Sequence, residues 1–221
     1  MGRLLSLLRR LRSRAFGALA LYLAQPVRQP GGSDTADPRS LLSALLPGDV
    51  LLSDGNTRAA AIVRRVTGSP WSHVSMYVGP LEAGPDPRCI VEADVAAGVR
   101  AVRLSELKGL HVRVLRATGL DNLERRRLAD WVTSRIGGDY DLAHAWTLAT
   151  KLLRLPLASR LWPAAQSATR FICSTLLAQA FMLAGYPIVP ALIGVRTGTA
   201  DHRFVTPHDF QSASVFEVVK S

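Results

Sequence analysis

This sequence predicts an α+β domain, and three observations carry that prediction. Short alternating or continuously apolar runs, each bounded by turn residues, cluster between residues 49 and 115. Most helix-forming runs follow from residue 122 onward, outside the cluster of strands, which is the pattern of an α+β domain. The chain has 221 residues and is 48% hydrophobic, which is enough for one sizeable core.

The elements follow in chain order. Residues 3–24 form an amphipathic pattern in which Leu4, Leu8, Leu11, Ala15, Leu19 and Tyr22 share one helical face. Arg3, Arg10 and Arg14 lie on the other side, and Pro26 and Pro30 end the run. Such an arm packs on the domain or lies on an anionic membrane surface. A secretory signal is the weakest reading. Tyr22 spoils the small-x-small pattern before Ala24, and the apolar run from Ala15 to Ala24 is short. No stretch reaches about 18 uninterrupted apolar residues, the length of a membrane-crossing helix. Localisation is therefore expected to be cytoplasmic or peripheral at the inner membrane. Gln29 to Ser40 is a Pro- and Gly-containing linker, which puts the arm and linker at 1–40 and the domain at 41–221.

In the body, Pro47-Gly48 turns the chain into a short strand from Asp49 to Ser53. Thr57 caps a helix that runs to Val66 and breaks at Gly68-Ser69-Pro70. His73 to Val78 alternates as a strand does: Val74, Met76 and Val78 point one way, His73, Ser75 and Tyr77 the other. Arg88–Asp94, Val99–Leu104 and His111–Leu115 complete a series joined by short turns, hence a mostly antiparallel sheet. Helices are expected over Asn122–Ile136, stopped by Gly137-Gly138, then over Leu142–Leu153 and Arg170–Ala184, the last closed by Gly185 and Pro187. Thr206–Phe210 is a turn, and Val215–Val219 returns as a final strand.

The net charge of +10 belongs largely to the arm, since residues 1–28 hold six arginines and no acid. Aromatic residues are only 6% of the chain and do not interleave with basic ones, which argues against a nucleic-acid binder. The two cysteines, Cys89 and Cys173, are too few for a disulfide framework, and no CxxC or Cys/His cluster suggests a metal. One bridge between them is open; two reduced thiols is the simpler expectation.

Cys173 carries the chemistry. It opens a helix-forming run, and a helix start offers unpaired N–H groups and partial positive charge, under which a thiol ionises more easily. The alternative is a small buried helix residue. A cysteine hydrolase also needs an imidazole to move the proton and a polar group to orient that imidazole. His73, at a strand start opposite the apolar face, suits the first task. His111, His144, His202 and His208 suit it less well. Glu92 suits the second, because an acid between Val91 and Ala93 is awkward in mid-strand unless it is used or faces solvent. Asp94 and Asp49 are the fallbacks. Tyr140 lies between two helices and either lines a pocket or packs at an interface.

Pro47–Leu52, Trp71–Gly79, Val91-Glu92-Ala93, Gly138–Asp141, Ile172–Thr175 and Thr206–Phe210 together resemble a YiiX/YebB-like cysteine hydrolase. That family is a circularly permuted branch of the NlpC-type, papain-like superfamily, related to lecithin retinol acyltransferase-like proteins. The resemblance covers roughly residues 45–220. It implies a permuted papain-like fold in which histidine and acid precede cysteine, with Cys173 as nucleophile, His73 as base and Glu92 as orienting acid. Tyr140, Ser72 and Ser174 are the substrate-contact candidates. It implies an amidase, peptidase-like or acyltransferase activity on a small peptide, amino-acid amide or lipid, with no cofactor or metal. A non-catalytic membrane-surface or ligand-binding module on the same fold is the alternative.

Overall fold

The computed structural model describes residues 18, 21–27, 38–140, 170–188 and 205–220. Its centre is a six-stranded sheet of β1 (Val50–Ser53), β2 (His73–Tyr77), β3 (Arg88–Asp94), β4 (Gly98–Arg103), β5 (Val112–Ala117) and β8 (Phe216–Lys220). The strand order is β4-β3-β2-β1-β5-β8, and every neighbouring pair is antiparallel. With the helices packed on it, this is the expected α+β architecture.

Both faces of the sheet are covered, which the alternation in β2 did not suggest. One face puts Val74, Met76, Val91 and Leu115 against Leu176, Leu177 and Phe181 of helix α4 (Cys173–Leu183) and Leu128 and Val132 of α3 (Asn122–Thr133). The other puts Leu51, Tyr77, Ile90 and Val114 against Leu41, Leu45, Leu104 and Leu107. A polar residue on either face is thereby enclosed rather than solvated.

The helix ends follow their local chemistry. Thr57 accepts from the Ala60 N–H to start α2 (Arg58–Thr67), and Gly68 ends it in the left-handed conformation. Asp121 and Glu124 form a reciprocal capping box at the start of α3. That helix ends at Thr133, three residues before the expected Ile136, in a turn that leads to Gly137.

Other elements differ from expectation. Pro38–Leu42 is a short helix, α1, that straddles the expected end of the linker at Ser40, because Leu41 is drawn into the second core. Helix α4 begins at Cys173 rather than Arg170; residues Arg170–Phe171 form a two-residue strand, β7, parallel to β6 (Asp139–Tyr140). The Thr206–Phe210 turn is the start of helix α5 (Pro207–Ser212). There Asp209 accepts from the backbone N–H and hydroxyl of Thr206, and Phe210 is buried. The last strand is displaced by one residue at each end. The Leu142–Leu153 helix lies outside the described residues, as does most of the 3–24 arm, of which residues 18 and 21–23 are helical.

The β3–β4 hairpin depends on Gly98. Its φ is +73°, and a Cβ there would lie 2.3 Å from the Gly138 carbonyl oxygen. The neighbouring Val99 N–H donates to that same oxygen at 2.7 Å. This close approach ties the hairpin to the segment that follows α3.

Candidate active site

The site forms where the N-terminus of α4 meets the ends of β2 and β3. His73 opens β2, and Glu92 lies one strand away on β3. The register that pairs Tyr77 with Ile90 sets the two side chains diagonally across the strands. The His73 Nε2 donates to Glu92 Oε2 at 2.9 Å. The second carboxylate oxygen, Oε1, accepts from Arg100 Nε at 3.0 Å and from Arg100 Nη2 at 2.8 Å. Arg100 stands directly opposite Glu92 in the β3–β4 hairpin. The Glu92 side chain is 10% exposed, that of His73 24% and that of Arg100 43%. The row thus runs from an enclosed carboxylate outward to a partly wet guanidinium.

The charges match this geometry. Burial pushes the Glu92 carboxyl up, but His73 and Arg100 outweigh it and bring the pKa to about 2. Burial alone would lower the His73 pKa. Glu92 chiefly, then Cys173, reverse that effect, and the imidazole is raised well above its usual value. Because Nε2 is engaged with Glu92, Nδ1 is the ring nitrogen left to meet Cys173.

Cys173 is half-buried at the first position of α4. The residue before it, Ile172, has no polar side chain to cap the helix. Thr175 instead turns back, accepting from the Ile172 N–H and donating to the Ile172 carbonyl. The sulfur thus stands at a helix start, where the N–H groups of the first turn favour an anion. Cys173, His73, Glu92 and Arg100 all line one cleft of about 230 Å³, whose apolar walls include Ala60 of α2 and Leu107.

Ser72 is buried and also lines the cleft, with its hydroxyl directed to the Ser53 carbonyl. Ser174 does not line it; its hydroxyl donates to the Val205 carbonyl at 2.6 Å and ties α4 to the C-terminal segment. Tyr140 is placed only by its backbone, in β6. The fallback acids are committed elsewhere. Asp49 is fully buried in an ion pair with Arg116, with Arg125 close by, and Asp94 accepts from the Ala96 and Ala97 N–H groups in the hairpin turn. Both cysteines are free thiols, so no bridge joins them.

Arg100 is the member that sequence reasoning missed. A usable signal existed: a three-residue turn between Asp94 and Gly98 puts residue 100 opposite residue 92.

Residues 44–151 match the family model of a permuted papain-like amidase enzyme, YaeF/YiiX, C92 family. That match, over just under half of the chain, makes it similar to the YiiX-like permuted papain-like proteins. It spans His73 and Glu92 and ends before Cys173. The crystal structure of metalloprotein YiiX from Escherichia coli O157:H7 superposes on this YiiX-like chain with a TM-score of 0.54 at 18% identity. The superposition covers 79% of this chain and 97% of that one, and the shared property is the fold. No curated protein matches the chain. The family is one of cysteine-hydrolase type, so a thiol hydrolase of amidase character is the general activity it carries. Among the described residues of this YiiX-like chain, no group of three or more His, Cys, Asp or Glu is arranged to hold a metal ion.

Proposed function

We propose that this protein cleaves an amide or ester through an acyl-enzyme on Cys173. The Sγ attacks the carbonyl carbon while its proton is held by His73 Nδ1. The negative charge that forms on the carbonyl oxygen is met by the Cys173 N–H at the start of α4. Collapse of this adduct breaks the bond to the leaving amine or alcohol, which takes the proton from His73. Water, or an acceptor hydroxyl or amine, then attacks the thioester while His73 takes its proton; the C–S bond breaks, the acyl group leaves on the acceptor oxygen or nitrogen, and the Cys173 sulfur is regenerated. Glu92 keeps the ring turned toward the sulfur and stabilises its charged form.

The observation that supports this reading is that sulfur, imidazole and carboxylate line a single cleft, with the imidazole's far nitrogen 2.9 Å from the carboxylate. The substrate is a small peptide, an amino-acid amide or a lipid acyl group. The lipid option draws support from the basic arm and from residues 22–27, which contact Asn56, Thr57 and Arg58; Asn56 and Thr57 line the cleft. The Val27 N–H donates to the Asn56 carbonyl, and the Arg58 guanidinium lies 4.5 Å from the Tyr22 ring. Under that option the protein sits peripherally on an anionic membrane, and removal of residues 1–28 weakens binding to anionic vesicles, as does added salt. Salt-independent binding by the intact chain would remove the membrane reading.

The test of the chemistry is intact-mass analysis after exposure to an activated short-chain ester. The expected result is one acyl adduct, mapped to Cys173 and absent from a folded Cys173→Ala variant. An adduct that persists in that variant would sink the assignment.

A further inference from the structure

We infer that Arg100 is a positioning residue for the site: by gripping one oxygen of Glu92 with a two-point fork, it dedicates the other oxygen to His73. The inference rests on the proposed thiol chemistry and adds a fourth member to it.

The geometry divides the labour of the carboxylate. Oε1 receives both Arg100 bonds, at 3.0 and 2.8 Å, and Oε2 receives the single bond from His73 at 2.9 Å. Two charge-assisted bonds hold Oε1 in place and occupy it, and with the His73 bond on Oε2 both ends of the carboxylate are fixed. With Oε1 occupied by Arg100, Oε2 is the oxygen left for the imidazole, and the ring is held with Nδ1 toward Cys173. Arg100 is itself steadied from outside. Its Nη1 lies 3.8 Å from Glu106 Oε2, and the other oxygen of Glu106 accepts from the Arg103 N–H at 2.9 Å. Charges therefore alternate along the cleft wall: imidazolium, carboxylate, guanidinium, carboxylate.

The remaining charged and titratable groups facing this row come from three elements. Cys173 lies at the start of α4, and Asp94 at the end of β3 acts on Arg100 from a distance. Arg64 of α2 is directed to the Asp54 and Gly55 carbonyls and to the Ser72 hydroxyl. Among these, Arg100 is the cation bonded to Glu92 besides His73. Without it, an enclosed carboxylate with one cationic partner takes up a proton at a higher pH, and the imidazole then loses its anion.

The experiment is the pH profile of Cys173 alkylation by iodoacetamide, a small neutral probe with no carboxylate for Arg100 to bind. In Arg100→Gln the acid limb of the profile moves upward by about one pH unit. Arg100→Lys, which keeps the charge but loses the fork, gives a smaller upward shift and serves alone if the glutamine variant does not fold. In a Glu92→Gln background, Arg100→Gln produces no further shift, because its effect passes through that carboxylate. An unshifted limb in folded Arg100 variants overturns the inference, and so does a shift that persists without Glu92. Failure of the underlying thiol chemistry looks different: His73→Ala would then alkylate as the parent protein does, at every pH.

Discussion

Replacing Glu92 by Gln removes a charge from the most enclosed position of the candidate site while keeping its shape. Its magnitude can be worked from the structure. Holding a carboxyl at about 2 instead of its ordinary 4.5 is worth about 3 kcal/mol of folding stability near neutral pH. The side chain is only 10% exposed, so solvent screening discounts little of this. The pH dependence has a definite sign on each side. Glu92 is depressed, so its contribution is complete above pH 4.5 and fades as pH falls toward about 2. His73 is raised, so its contribution is complete below pH 6.5 and fades as pH rises through the folded value. The stability difference between the parent protein and Glu92→Gln is therefore greatest from about pH 4.5 to 6.5, near 3 kcal/mol, and shrinks on both flanks. Urea unfolding followed by circular dichroism at half-unit steps from pH 3 to 8 measures it. A difference below about 0.5 kcal/mol, or one that does not vary with pH, would refute the claim that these charges are coupled in the folded state.

Three further outcomes follow from the same structure. Gly98→Ala forces a Cβ onto the Gly138 carbonyl and a side chain into a left-handed conformation; thermal melts should show a loss of about 2 kcal/mol or more, and an unchanged melting point would contradict the hairpin geometry. Asp49→Asn leaves Arg116 and Arg125 without their buried anion at the far end of β1, so unfolding should become easier by about 3 kcal/mol while the folded fraction keeps its Cys173 reactivity. Burial pushes the Cys89 thiol up, so a disulfide-exchange reagent should titrate one thiol in the folded protein and two after denaturation; two at once would mean that the β3 core is open.

Much of this architecture is written in short-range pattern. The strand starting at His73, the capped helix after Thr57 and the stop at Gly137-Gly138 all depend on residues within a few positions of one another, and each forms close to where the pattern puts it. What the sequence hides is non-local. Glu92 reads equally well as a solvated strand residue until the second core, built from Leu41, Leu104 and Leu107, closes over that face of the sheet. The β6–β7 pair joins residues thirty-one positions apart, and nothing near Arg170 announces a strand there. Ser174 stands next to the candidate nucleophile in sequence, yet the helix turns it through about 100° to face Val205. Arg100 is the intermediate case, legible only once the hairpin turn has fixed the register.

The central claim is that the Cys173 sulfur works with the His73 imidazole, and the most direct measurement is the rate of Cys173 alkylation at pH 6 in the parent protein and in His73→Ala. If the pair acts together, the variant reacts at least about tenfold more slowly while its circular dichroism and melting profile stay those of a folded chain. Equal rates in two equally folded proteins would contradict the account.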